Sequence, residues 1–175
     1  MIRKSEYGDI PAIMVIINSA KEYLASQSIN QWQNGYPNEE VLKEDIENSC
    51  GYVLTLAGEV KGYCSIRQTV DPCYGVIEHG EWKNDRPYIV LHRTCIAPEC
   101  KGGGSAGIFV RFAEEMAEKL DIHDLRADTH ARNRSMRRML EKNGFAECGI
   151  VYMADGAERI AFQKVLDETV QQPLV

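Results

Sequence analysis

This 175-residue chain has no basic excess, no cysteine pair at metal-binding spacing, no long apolar run and no internal repeat. Each absence excludes a class. Twenty Lys and Arg stand against 26 Asp and Glu, a formal net charge of −6. A general nucleic-acid binder carries the opposite balance, so no nucleic-acid partner is expected. The six cysteines (Cys50, Cys64, Cys73, Cys95, Cys100, Cys148) include no Cys-x-x-Cys, which argues against a zinc ribbon, and no metal is expected. The first nine residues lack the apolar core of a secretory leader, and no stretch reaches bilayer-spanning length. The expectation is a cytoplasmic protein with reduced thiols and no membrane partner.

What is present is ordinary for a globular domain: 44% hydrophobic and 26% charged residues. One domain over 1–166 is expected, with 167–175 a loosely held tail. The stretch Leu91 to Phe112 organises the rest. Ile89, Val90, Leu91 and Ile96 are strand formers, and Pro98 ends the run. Gly102, Gly103 and Gly104 permit a sharp turn. From Ser105 the pattern becomes helical, with Ile108, Phe112, Met116 and Leu120 on one apolar line. A glycine turn opening a helix converges free N–H groups where the helix dipole favours an anion, so phosphate is the natural ligand.

The remaining elements follow in chain order. Met1 to Ser5 is a short strand, and a helix capped near Gly8 or Asp9 runs to about Ala25. A polar loop with Trp32 and Tyr36 precedes a second helix capped by Asn38. Gly51 to Leu56 and Val60 to Gln68 form a hairpin turning at Gly58-Glu59. Val70 to Arg86 is irregular and long enough to be functional, or else a surface insertion. After the central strand and its helix come a strand at His123 to Asp128 and a helix opened by Asn133. A hairpin around Asp155-Gly156 closes the chain. The order β-α-α-β-β-β-α-β-α-β-β describes an α/β (α+β) mixed sheet with helices on both faces.

Three phosphate ligands fit a glycine turn to different degrees. A Walker A loop places Lys after its glycines, whereas here Lys101 precedes them. Gly102, Gly104 and Gly107 match a dinucleotide pattern formally, but they follow a meander of strands, not the first strand of a parallel unit. The third reading rests on Lys101-Gly-Gly-Gly104-Ser105-Ala106 and on Asn133 to Phe145, which ends Lys142-Asn143-Gly144-Phe145. These segments resemble the GCN5-related N-acetyltransferase (GNAT) family, whose Arg/Gln-x-x-Gly-x-Gly/Ala turn cradles the pyrophosphate of acetyl-CoA. The resemblance covers about residues 1–166. It departs at Lys101, where the family has Arg or Gln, and at position 140, where the family has tyrosine and this chain has Leu140.

The resemblance implies a mostly antiparallel sheet of six to seven strands, a fourth strand splayed from the fifth, and possible homodimers through the C-terminal hairpin. It places the thioester arm of acetyl-CoA on Thr94, Cys95 and Ile96. The pyrophosphate falls on Lys101, Gly102, Gly103, Gly104, Ser105 and Ala106, and the pantetheine side on Asn133. Asparagine is also a good helix cap, so Asn133 has an equally physical structural reading. The reaction implied is acetyl transfer to a small-molecule amine or peptide amino group by direct attack in a ternary complex.

An amine with a pKa of about 10.4 must lose a proton before it attacks. His92, on the central strand, is the leading base, since an imidazole titrates near neutral pH. Strand alternation places it with Thr94 and Ile96, opposite Arg93 and Cys95. Glu78 and His130 are the other candidates. With Leu140 unable to donate a proton, Tyr152 or solvent is left to protonate the departing thiolate. Cys95 and Cys100 read as small buried hydrophobes, not nucleophiles. Aromatic and acidic residues on the acceptor side point to a cationic acceptor. A non-catalytic acyl-CoA-binding or sensing module is the alternative, favoured by the missing tyrosine.

Overall fold

The computed structural model describes residues 1–166; the expected tail at 167–175 lies outside the described residues. Seven strands and four α-helices follow the expected order. They are β1 (Ile2–Lys4), α1 (Ile10–Ser26), α2 (Glu39–Glu47), β2 (Gly51–Leu56), β3 (Glu59–Gln68), β4 (Ile89–Ile96), α3 (Ser105–Lys119), β5 (Asp124–Thr129), α4 (Arg134–Lys142), β6 (Ala146–Tyr152) and β7 (Glu158–Val165). They form one sheet in the order β1-β2-β3-β4-β5-β7-β6. Only the β4–β5 pair is parallel.

Two apolar layers cover the sheet. On one face, Ile10, Ile13, Ile16 and Ile17 of α1 and Leu42 of α2 bury against Val53, Tyr63 and Cys95. On the other, α3 and Leu140 of α4 bury against Leu54, Ile66, Leu91, Leu125 and Phe162. The buried stripe of α3 is Phe109, Val110, Ala113 and Ala117. The line through Ile108, Phe112 and Met116 is only its flank, and Leu120 is half exposed. The small Ala113 and Ala117 let the helix approach the sheet beside the buried Phe109 and Val110. The first hairpin turns at Ala57-Gly58 (φ 50° and 84°), and Glu59 already pairs with Leu56. The expected Gly58-Glu59 turn is therefore off by one residue.

Two irregularities of β4 shape the functional region. First, β4 meets β5 only at Ile89↔Leu125 and Val90↔Arg126. Beyond this, β4 stays with β3 as far as Ile96, while β5 stays with β7 as far as Thr129. The two strands therefore diverge, and a V opens between them. Second, Arg93 is an extra residue in the β3–β4 ladder. Ser65 pairs with His92 and Tyr63 with Cys95, so two residues, 93 and 94, oppose Cys64 alone. Arg93 takes φ 58°, and this bulge shifts the phase of the strand.

Residues 70–86 are not a pure surface insertion. Tyr74 and Trp82 pack with Tyr88, Val90, Val151 and Ala161 in a third, smaller core. Glu78 and Ile150 exchange backbone hydrogen bonds at 2.8 Å, and the Glu81 amide donates to the Cys148 carbonyl. The outer edge of β6 is covered there.

Candidate active site

The V between β4 and β5 widens into a cleft of about 1120 Å³. Leu91 to Ile96 line it from β4, Asp128 and Thr129 from β5, and the turn before α3 from one end. No described helix is long and apolar enough to cross a membrane.

His92 lines this cleft. Its Nε2 lies 2.8 Å from Asp71 Oδ2, and its Nδ1 lies 3.8 Å from Asp128 Oδ2. The imidazole is thus flanked by two carboxylates. Asp71 accepts the Cys73 amide on its other oxygen at 2.9 Å. Burial works against ionisation of Asp71, but the His92 hydrogen bond and charge, the Cys73 amide and the field of Arg67 hold its carboxyl below the ordinary value. Asp128 accepts the Tyr74 hydroxyl at 2.7 Å and faces Arg159 at 3.9 Å. Burial, then the neighbouring Asp128 carboxylate, raise Tyr74 well above an ordinary phenol, so Tyr74 stays protonated and serves as a fixed donor.

The bulge corrects the expected alternation. Arg93 reaches Asp45 in a fork (3.0 and 2.6 Å) and Tyr36 Oη at 2.6 Å. Asp45 also takes the Tyr63 hydroxyl, which fixes Arg93 on the α1–α2 face. His92, beside Val90, Tyr74 and Asp71, belongs to that face too, and so does Cys95. Thr94 and Ile96 turn to the opposite face, toward Cys64 and the core around Phe109. A left-handed non-glycine residue costs about 1–2 kcal/mol; the buried Arg93–Asp45 fork offsets it. Burial works against the charge on Arg93, but Tyr36 and Asp45 hold it protonated.

At the other end, Gly102 and Gly104 sit at φ 81° and 80°, and a Cβ on Gly102, Gly103 or Gly104 would meet no protein atom within 4 Å. No side chain caps α3, so its first amides are open to a ligand. Lys101, Arg138 and Lys142 bring positive charge to this end. The Lys101 ammonium lies 4.6 Å from the centre of the Tyr23 ring, and the Tyr23 hydroxyl meets Ser135 Oγ at 2.9 Å.

The cleft gathers most, not all, of the expected residues. His92, Thr94, Cys95, Ile96, Lys101, Gly102, Gly104, Ser105, Ala106 and Asn133 line it; Gly103 does not. Asn133 is a helix cap as well, accepting the Met136 amide at 3.2 Å and donating to Gln31 at 3.3 Å. Three catalytic candidates fall outside the lining among the described residues. Tyr152 donates to Glu78 at 3.0 Å, and both stand away from the cleft. That bond, some burial and the Glu78 charge raise the Tyr152 phenol. His130 Nδ1 accepts the Arg132 amide at 3.1 Å within its own turn, and burial with nearby Arg159 and Arg132 lowers its value. Burial pushes the Cys95 thiol up to about 12, so it is no nucleophile at neutral pH. Asp71 and Arg67 were not singled out in the sequence. Asp71-Pro72 is a turn-opening signal that marks the first of them.

This strand order, parted between β4 and β5 ahead of a glycine turn, defines an acetyltransferase fold. Residues 17–145 match the model of the Acetyltransferase (GNAT) family, and the chain belongs to that family. A solved GNAT-family acetyltransferase from Streptococcus agalactiae is 31% identical, covers 96% of both chains, and superposes with a TM-score of 0.85. Two more distant structures share the fold. Ribosomal-protein-alanine N-acetyltransferase from Brucella melitensis has 23% identity, 95% and 99% coverage and a TM-score of 0.67. PaiA N-acetyltransferase from Thermoplasma acidophilum, solved with coenzyme A, has 18% identity, 94% and 98% coverage and a TM-score of 0.70. Curated protein sequences give no significant match.

Proposed function

We propose that the protein is an acetyl-CoA-dependent N-acetyltransferase that holds donor and amine together in one ternary complex. The observation that carries this reading is that one cleft is lined by a glycine turn with Lys101, Arg138 and Lys142 and also by a carboxylate-flanked histidine. The turn from Lys101 to Ala106 would hold the pyrophosphate, Asn133 the pantetheine side, and the backbone of Thr94 to Ile96 the thioester arm.

His92 is the base in this reading. With Nε2–H donated to Asp71, Nδ1 is the basic nitrogen and takes the proton of the incoming amine. Asp71 and Asp128 then flank the imidazolium and stabilise it. The amine lone pair forms the new N–C bond at the thioester carbonyl, a backbone N–H of β4 steadies the oxyanion, and the C–S bond breaks. The thiolate resembles a cysteine with a pKa of about 8.5, so solvent suffices to protonate it. The family's tyrosine position itself offers no proton donor, because Leu140 there is fully buried in the core.

That same Leu140 favours the non-catalytic reading, an acyl-CoA-binding or sensing module. Following thiol release from acetyl-CoA with a panel of amines separates the two. An N-acetyltransferase releases thiol only when a suitable amine is present. CoA binding with no release for any amine leaves the sensing module.

A further inference from the structure

The acids on the acceptor side of His92 are all committed to protein partners. Asp71 holds His92 and the Cys73 amide. Asp128 holds Tyr74 and faces Arg159. Asp155 accepts the Ala157 amide and the Asn34 side chain. Most cations there are committed as well. Arg93 is forked on Asp45, and Arg159 donates to the Glu158 carbonyl.

Arg67 is the exception. It lines the cleft, its Nε is out of water without a hydrogen-bond partner, and its charge reaches Asp71 and the Cys50 thiol only through space, with no hydrogen bond or ion pair to any described residue. Arg126 and Arg137 also leave Nε unpartnered, but their terminal nitrogens are bonded to Asn84 and Glu147. A partly buried guanidinium without an acceptor is costly, and an anion from outside relieves that cost.

Position excludes the cofactor's phosphates as that anion. Arg67 pairs with Val90, and Ser65 with His92, so Arg67 and His92 are diagonal neighbours on one face of the sheet. The glycine turn lies beyond the other end of β4. Six residues separate Val90 from Ile96, roughly 20 Å at the usual rise per residue.

We propose that Arg67 holds a carboxylate of the acceptor, so that the acceptor is amino-acid-like, with an anionic group within a few bonds of the amine presented to His92. This rests on the N-acetyltransferase reading and narrows it. It replaces the expectation of a purely cationic acceptor. A planar guanidinium takes a carboxylate bidentately, which fixes the direction from which the amine approaches.

The test compares amino acids with their carboxamides as acceptors, in wild type, Arg67→Gln and Arg67→Lys, by thiol release, with CoA affinity measured by calorimetry. In wild type, kcat/KM for the acid exceeds that for its amide by about 10- to 100-fold, the worth of a charge-assisted hydrogen bond. Arg67→Gln removes that preference by lowering the acid's rate alone, with CoA affinity unchanged. Arg67→Lys retains part of it. Equal use of acid and amide by wild type, with thiol still released, overturns the Arg67 assignment and leaves the N-acetyltransferase reading intact. So does an Arg67→Gln protein that binds CoA and slows both acceptors alike. No release with any amine overturns both. Should Arg67→Gln fail to bind CoA, the wild-type ratio and Arg67→Lys decide.

Discussion

His92 Nε2 and Asp71 Oδ2 are 2.8 Å apart, although 21 positions separate them in the chain. One stands on β4, the other just after β3, and the β3–β4 pairing brings the two together. In the proposed mechanism Asp71 fixes which imidazole nitrogen carries the proton and leaves the other for the amine. His92→Ala is expected to lower kcat/KM by about 10²–10⁴, the usual range for a general base, while calorimetry finds CoA affinity within twofold of wild type. Loss of CoA binding in parallel would instead mark His92 as structural.

The same pair has a pH signature. Asp71 binds its proton more weakly folded than unfolded. Its contribution to stability is therefore complete above the ordinary aspartate value of about 3.9 and is lost as pH falls through its lowered folded value. Asp71→Asn is expected to melt about 2–4 °C below wild type at neutral pH, the equivalent of about 1 kcal/mol. The gap closes in strong acid. Melting curves from pH 2 to pH 8 (on the order of one per unit) follow it; a gap that stays constant with pH contradicts the ionic account.

The glycine turn separates strain from contact. Gly104 has φ 80°, whereas Gly103 has no positive φ, and neither would crowd protein atoms with an added methyl. Gly104→Ala is expected to cost about 1–2 kcal/mol in urea unfolding. Gly103→Ala stays within about 0.5 kcal/mol. A larger loss from Gly103→Ala than from Gly104→Ala reverses this ordering.

Restoring the family tyrosine is not expected to restore an acid. Leu140 is fully buried with Phe109, Phe145 and Phe162 around it. Leu140→Tyr places a larger, polar side chain in that core and should cost about 1–3 kcal/mol by denaturant titration without raising kcat. A rise in kcat together with unchanged stability contradicts this packing.

Element order was legible because apolar periodicity and turn residues agree along most of the chain. Ile13, Ile16, Ile17 and Leu24 announce α1, and all four are buried. The glycine turn and the Asn133 cap were equally plain. Three features were not. Apolar periodicity misplaces the face of α3, because Ala113 and Ala117 carry little hydrophobic signal yet are buried on it. The side occupied by His92 was misjudged because nothing about an arginine announces a bulge; Arg93 turns left-handed for the sake of Asp45, 48 positions away. The places of Asp71 and Arg67 beside His92 depend on strand pairing, which no local pattern encodes. Glu78, Tyr152 and His130 carry suitable chemistry but stand outside the lining of the cleft.

The extra residue at Arg93 has a consequence for how such a protein can change. It divides β4 into two segments whose side chains count from different origins. Under the proposed function, substitutions before it would bear on the acceptor beside His92, and substitutions after it on the grip on the donor. Because the phase is reset between them, the acceptor half could then be exchanged while the donor half of the strand stays as it is, and the same seam is where an engineer would cut.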